Sequence, residues 1–66
     1  MTYKPHQQRV VDEKTELDER VKKLSAFIGL IPLFELSDLD EQERMKEQNE
    51  IMWQYSEILG KRIAAF

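Results

Sequence analysis

The side chains able to do chemistry in this chain gather near its two ends. Lys4, His6, Gln7 and Arg9 lie in the first ten residues, which hold no acid, and Tyr55, Lys61 and Arg62 lie in the last twelve. Arginines bind phosphate through two parallel hydrogen bonds, an aromatic ring offers a stacking surface, and glutamine amides match the edges of bases. Brought together, these groups suit an anionic, aromatic ligand. A plainer account competes residue by residue. Lys61 and Arg62 are expected at any helix C-terminus to offset its dipole, Tyr55 falls in core register, His6 can simply be exposed, Gln7 can set register in a helical seam, and Lys14 can snorkel from one.

Catalytic chemistry has little to stand on. There is one histidine and no cysteine, so no nucleophile, base and orienting group come as a set, and no metal-ligand spacing exists. Ser25, Ser37 and Ser56 are scattered over helix and cap positions. No glycine-rich phosphate loop is present. The expectation is a binding protein without cofactor or metal, and not an enzyme.

Length and charge narrow the class further. Sixty-six residues make one small domain that buries too little surface to be stable alone, and without cysteine no disulfide can staple it. Association is the remaining staple. A net charge of −3 and a pI near 5.1 argue against DNA as a partner, whose binders are normally basic. The polar N-terminus lacks the apolar centre of a secretory signal, and the most apolar run, Ala26 to Phe34, is too short for a bilayer and contains Pro32. A soluble protein of the cytoplasm, with no membrane partner, is expected.

The elements that must position the ends are two helices. Val10, Leu17, Val21, Leu24 and Ile28 recur at helical spacing, and with Gln7, Lys14 and Ile31 they form a heptad-like seam. Pro5 suits the first helical position, and Gly29 with Pro32 should stop the helix, giving helix one over about 5–29. The connector over 30–36 is unusually apolar for a turn. Ser37, followed by Asp40, predicts a capping box, with helix two over about 38–64 and a stripe of Met45, Ile51, Met52, Tyr55, Ile58, Leu59 and Ile63. Gly60 invites either a close neighbouring backbone or fraying.

A short connector makes these helices antiparallel, placing Leu24 near Met45, Leu17 near Ile51 and Val10 near Ile58. The fold class is therefore all-α: an antiparallel two-helix hairpin forming a single domain over 1–66. Val11, Phe27, Trp53 and one side of the helix-two stripe stay outside that seam. Two helices cannot surround a core, so the hairpins are expected to stack into a homo-oligomeric helical bundle.

Three segments resemble a known family. His6-Gln7-Gln8-Arg9-Val10, Leu24-Ser25-Ala26-Phe27-Ile28, and Tyr55-Ser56-Glu57-Ile58-Leu59 followed by Arg62-Ile63 are similar to the phage hairpin-domain family of the anti-CBASS cyclic-oligonucleotide sponge, whose hairpin is shared with the phage inhibitor of Thoeris signalling. The resemblance implies a homo-oligomer, a hexamer in the sponge, that works in the host cytoplasm. It would sequester cyclic di- or trinucleotide immune signals between protomers without cleaving them. Residue by residue it points to His6, Gln7, Gln8, Arg9, Tyr55 and Arg62 as ligand-binding, with Lys22 and Lys23 added from the basic stretch before Phe27. The stacking aromatic near the start of helix one would be His6 or Tyr3. On the residues alone, the alternative is a helical protein-binding module that works through the connector and the helix-two stripe.

Overall fold

The structure is a computed structural model that describes residues 2–66. Two long helices fold against each other, α1 over Pro5–Gly29 and α3 over Leu39–Ala64, and a single helical turn, α2 over Ile31–Phe34, lies between them. The expectation of a two-helix hairpin is thus corrected by a third, short helix in the connector. Proline explains where α1 gives way. Pro32 offers no N–H to continue the ladder and its ring crowds the preceding turn, so Leu30 leaves helical geometry at ψ 72° while its N–H still closes on Ala26 and Phe27. Gly29 adopts no left-handed conformation and contributes no special turn.

Helix α3 begins one residue later than the capping box implies. Asp38, not Ser37, is the N-cap, and no side chain caps it. Instead Gln42 reaches back, its Nε2 donating to the Ser37 carbonyl at 2.8 Å. Asp40 and Glu41 in the first turn and Lys61 and Arg62 in the last both oppose the helix dipole in the stabilising sense.

Packing shows which face of each helix turns inward. On α1 the expected seam is buried or half-buried from Gln7 through Ile28, but Ile31, now in α2, is 58% exposed. On α3 the inward line is Gln42, Met45, Asn49, Met52, Ser56, Leu59 and Ile63, alternating three and four apart. Ile51 and Ile58 are more than half exposed, and Tyr55 is 42% exposed. The pairings of Leu17 with Ile51 and of Val10 with Ile58 therefore do not occur.

The physical reason is polar. Asn49 Nδ2 donates to Ser25 Oγ at 2.8 Å, Ser56 Oγ donates to Asp18, and Lys14 Nζ donates to both Ser56 Oγ at 3.1 Å and Asp18 Oδ2 at 2.7 Å. Ser56 is buried, so its hydroxyl must be satisfied inside the protein, and this network satisfies it as both donor and acceptor. The pairs 25 with 49 and 18 with 56 lie symmetrically about Ser37. The chain turns back there, and not at the centre of the apolar connector. Lys14, expected to snorkel, is held in this network instead.

Gly60 stands one turn beyond Ser56, and the stem of Lys14 crosses it. A β-carbon placed there would meet Lys14 Cε at 3.4 Å. The neighbour is thus a flexible side chain and not a backbone.

Little apolar surface is sealed. Val10, Val21, Phe34 and Leu59 are the buried apolar residues among those described. Phe34 plugs the turn end, edge-on to Phe27 at 6.4 Å and beneath the Lys46 ammonium at 5.6 Å. Around it Leu30, Ile31, Leu33, Leu36 and Leu39 remain exposed. The radius of gyration is 14.9 Å, against about 11 Å for a compact domain of this length.

Two outcomes test this packing. Gly60→Ala gains helix propensity at an ordinary contact distance, so it should stabilise by about 0.5–1 kcal/mol, raising the melting midpoint by roughly 3–6 °C at matched protein concentration. Asp18 is held below its ordinary value of 3.8 by the Lys14 and Ser56 hydrogen bonds. A carboxylate depressed in the folded state adds stability above its unfolded pKa and loses it as pH falls through the folded one. Denaturant titrations from neutral pH to below pH ~4 should show wild type well above Asp18→Asn at neutral pH, with the two converging in acid.

Candidate functional site

The candidate site is the end of the hairpin where both termini meet, and it is built from the start of α1. Lys4 is the N-cap with extended backbone, and Pro5 takes the first helical position. The Lys4 N–H donates to Gln7 Oε1 at 2.9 Å, while the N–H groups of Gln7 and Gln8 both donate to the Lys4 carbonyl. Half of a capping box is formed. A lysine ammonium accepts no hydrogen bond, so the other half cannot be.

These bonds narrow what the helix start can offer an anion. The N–H groups of this first turn are partly used, and the amide of Gln8 is also engaged, its Nε2 donating to Asp12 Oδ1 at 2.9 Å. His6, Gln8 and Arg9 are exposed, and Gln7 is half-buried. Across from them the last turn of α3 presents Lys61 and Arg62, also exposed. The Ala65 N–H closes on the carbonyls of Lys61 and Arg62. Phe66 then packs edge-on against Tyr3 at 6.0 Å. Neither Phe66 nor this aromatic pair was visible as a site element in the sequence, because a terminal aromatic carries no periodic signal.

Charge at this end is uncompensated by direct contacts. Among the described residues the ion pairs are Lys14 with Asp18 and Arg44 with Glu41, and neither involves Lys4, Arg9, Lys61 or Arg62. Arg62 stands opposite Asp12 by the symmetry about Ser37, so it lies within one turn of Arg9 along the hairpin axis. Two guanidinium groups and two ammonium groups therefore share one end and are open to water.

The remaining expected site residues stand apart from it. Tyr55 is seven residues before Arg62, or about 10 Å down the helix. Lys22 and Lys23 are level with positions 52 and 51 of α3, about 15 Å along the axis from Arg62. Lys22 lies one turn past Asp18, whose carboxyl it helps to hold down. One hairpin thus brings His6, Gln7, Gln8, Arg9 and Arg62 to a common end and leaves Tyr55, Lys22 and Lys23 along its length. No cavity is present among the described residues.

Two further side chains bear on the chemistry. Lys14 and Ser56 lie within hydrogen-bond distance, as a lysine-activated serine would, but Ser56 is buried and its proton points to the Asp18 carboxylate. A carboxylate held below its usual range is a poor base. The contact joins helices and leaves no room for a substrate.

A family model described as Sequestin matches residues 4–65. No curated protein and no solved structure matches the chain. No helix among the described residues is long and apolar enough to cross a membrane.

The Gln7 cap sharpens any mutational study of this end. Gln7→Ala should cost about 1 kcal/mol of stability through loss of the cap, whereas Gln7→Glu, which keeps an acceptor at the same place, should melt close to wild type. Equal destabilisation of both variants in thermal melts would remove the cap from the account.

Proposed function

The chain belongs to the Sequestin family, and from that premise we propose that it is a phage anti-defence sponge. It binds a cyclic oligonucleotide immune signal, a cyclic di- or trinucleotide, in the host cytoplasm and holds it without cleavage, so that CBASS-type effectors go unactivated. The observation that carries this reading is the family match over residues 4–65, whose name speaks of sequestration. The open cationic end supports it, with Arg9 and Arg62 for phosphate, and His6, Gln7 and Gln8 for a base.

Self-association completes the reading. A hairpin without a cavity cannot enclose a nucleotide, but clefts form where hairpins meet, and the half-exposed Ile51, Tyr55 and Ile58 need covering. The assembly is a homo-oligomer, a hexamer by preference. Tyr55, Lys22 and Lys23, which one hairpin leaves apart from Arg62, then join the site from neighbouring copies. A second reading is favoured by the turn end, where Leu36 is 82% exposed and Leu39 77%: a module that grips another protein through its connector and the outer face of α3.

The two readings separate in one experiment. Native mass spectrometry and thermal melts with micromolar cyclic dinucleotides, cyclic trinucleotides and, as a chemically related probe, a cyclic adenosine-diphosphate-ribose should show bound ligand and a raised midpoint. The ligand should be recovered intact after denaturation. Arg62→Ala and Arg9→Ala should each weaken binding by about tenfold or more, in line with charge-assisted hydrogen bonds. A cleaved product would replace the sponge with an enzyme. No binding by any nucleotide would leave the protein-gripping module.

A further inference from the structure

The outer face of α3 carries a second heptad line, distinct from the one packed on α1. Gln48, Ile51, Tyr55, Ile58 and Arg62 alternate three and four apart, and at 100° per residue they form one stripe, turned roughly 110° from the buried line. Its apolar members are half exposed. The order along the stripe is nearly palindromic about Tyr55. Reversing the helix sets Ile51 over Ile58, Gln48 over Arg62, and Tyr55 over itself.

Charge selects between the two ways a second copy could lie on this stripe. Glu47 and Lys61 flank it on the side away from α1, with Gln54 midway between them. A parallel copy would set Arg62 of the stripe against Arg62 and leave Glu47 and Lys61 of the two chains on opposite edges of the seam, unpaired with each other. An antiparallel copy sets Glu47 of each chain against Lys61 of the other, twice by symmetry, with Gln54 facing Gln54 at the axis. Neither Glu47 nor Lys61 has an ion-pair partner among the described residues. Both are free to bind across.

We propose that the outer stripe of α3 is the docking face for a second copy of this chain, packed antiparallel about a two-fold axis at Tyr55, with Ile51 against Ile58 and Glu47 against Lys61. The inference deepens the self-association in the reading above and rests on it. Across the two-fold Arg62 of one copy comes level with Gln48 of the other, about one turn along the axis from Lys23, while Lys22 stays with Asp18 on the opposite face. Tyr55 belongs to the same groove.

The chain has no cysteine, so a single introduced thiol reports its own neighbourhood cleanly. Under mild oxidation Tyr55→Cys should form a disulfide-linked dimer in high yield, and Glu57→Cys, on the far side of α3, should not. Glu47→Lys and Lys61→Glu should each raise the dissociation constant for this contact about tenfold, since each sets like charges opposed at two symmetric places. The double variant Glu47→Lys/Lys61→Glu should return to within about twofold of wild type by sedimentation, with circular dichroism confirming that every variant is folded. Folded single variants that associate as wild type does, or a double variant no better than the singles, would overturn this interface while leaving self-association intact. A wild type that sediments as a monomer at high concentration would overturn both. An intact antiparallel pair that binds no nucleotide would leave the interface standing and remove the ligand.

Discussion

The hydrogen-bonded contact of Ser56 with Asp18 and Lys14 fixes the register of the hairpin, and the rest of the molecule follows from that register. Apolar seams slide at modest cost, because a leucine is nearly as content against one neighbour as against the next heptad's. A buried hydroxyl is not. Removing its partners leaves the full desolvation penalty, roughly 1–3 kcal/mol. With Asn49 bonded to Ser25 a further two turns along, the two contacts hold α1 and α3 at two points, and this is the use of buried polar groups best attested in helical pairs. Once Ser56 and Asn49 point inward, Ile51, Tyr55 and Ile58 have nowhere to point but out.

The helices themselves were plain in the sequence for local reasons. Pro5 starts α1, Pro32 ends it, and the three-four spacing of Val10 to Ile28 declares its inner face. The register of α3 was not legible, because two stripes of equal periodicity run along it. The outer one is the richer in isoleucine and tyrosine, so hydrophobicity alone assigns it to the core. Only the partners on α1 decide, and they are polar: Lys14, Asp18 and Ser25. A lysine in a seam, four residues before an aspartate and facing a helix with serine and asparagine at heptad positions, was the available signal. The single turn of α2 was hidden for another reason. A four-residue helix has too little length to show a period, and it carries the turning point beyond the connector's centre.

The candidate site divides along the same line. Its local parts, the cap at Gln7 and the basic last turn of α3, follow from helix-end chemistry. Its long-range parts do not. Which of Tyr55, Lys22 and Lys23 stands near Arg62 within the hairpin depends on register, which is not written in any one segment. The same economy shows in the composition: an acidic chain keeps its cationic end because Lys4, Arg9, Lys61 and Arg62 sit at helix ends, and none of them forms an ion pair among the described residues.

A body more than three times as long as it is wide, 46 by 14 by 14 Å in its backbone, drags more water than a ball of equal mass. A lone hairpin will therefore elute early from a sizing column and tumble anisotropically, imitating a heavier particle. Side-by-side antiparallel stacking thickens the rod faster than it lengthens it, so each added copy brings the friction of the whole closer to that of a sphere. The number of copies in any assembly of such rods is legible from mass, and only misleadingly from hydrodynamic radius.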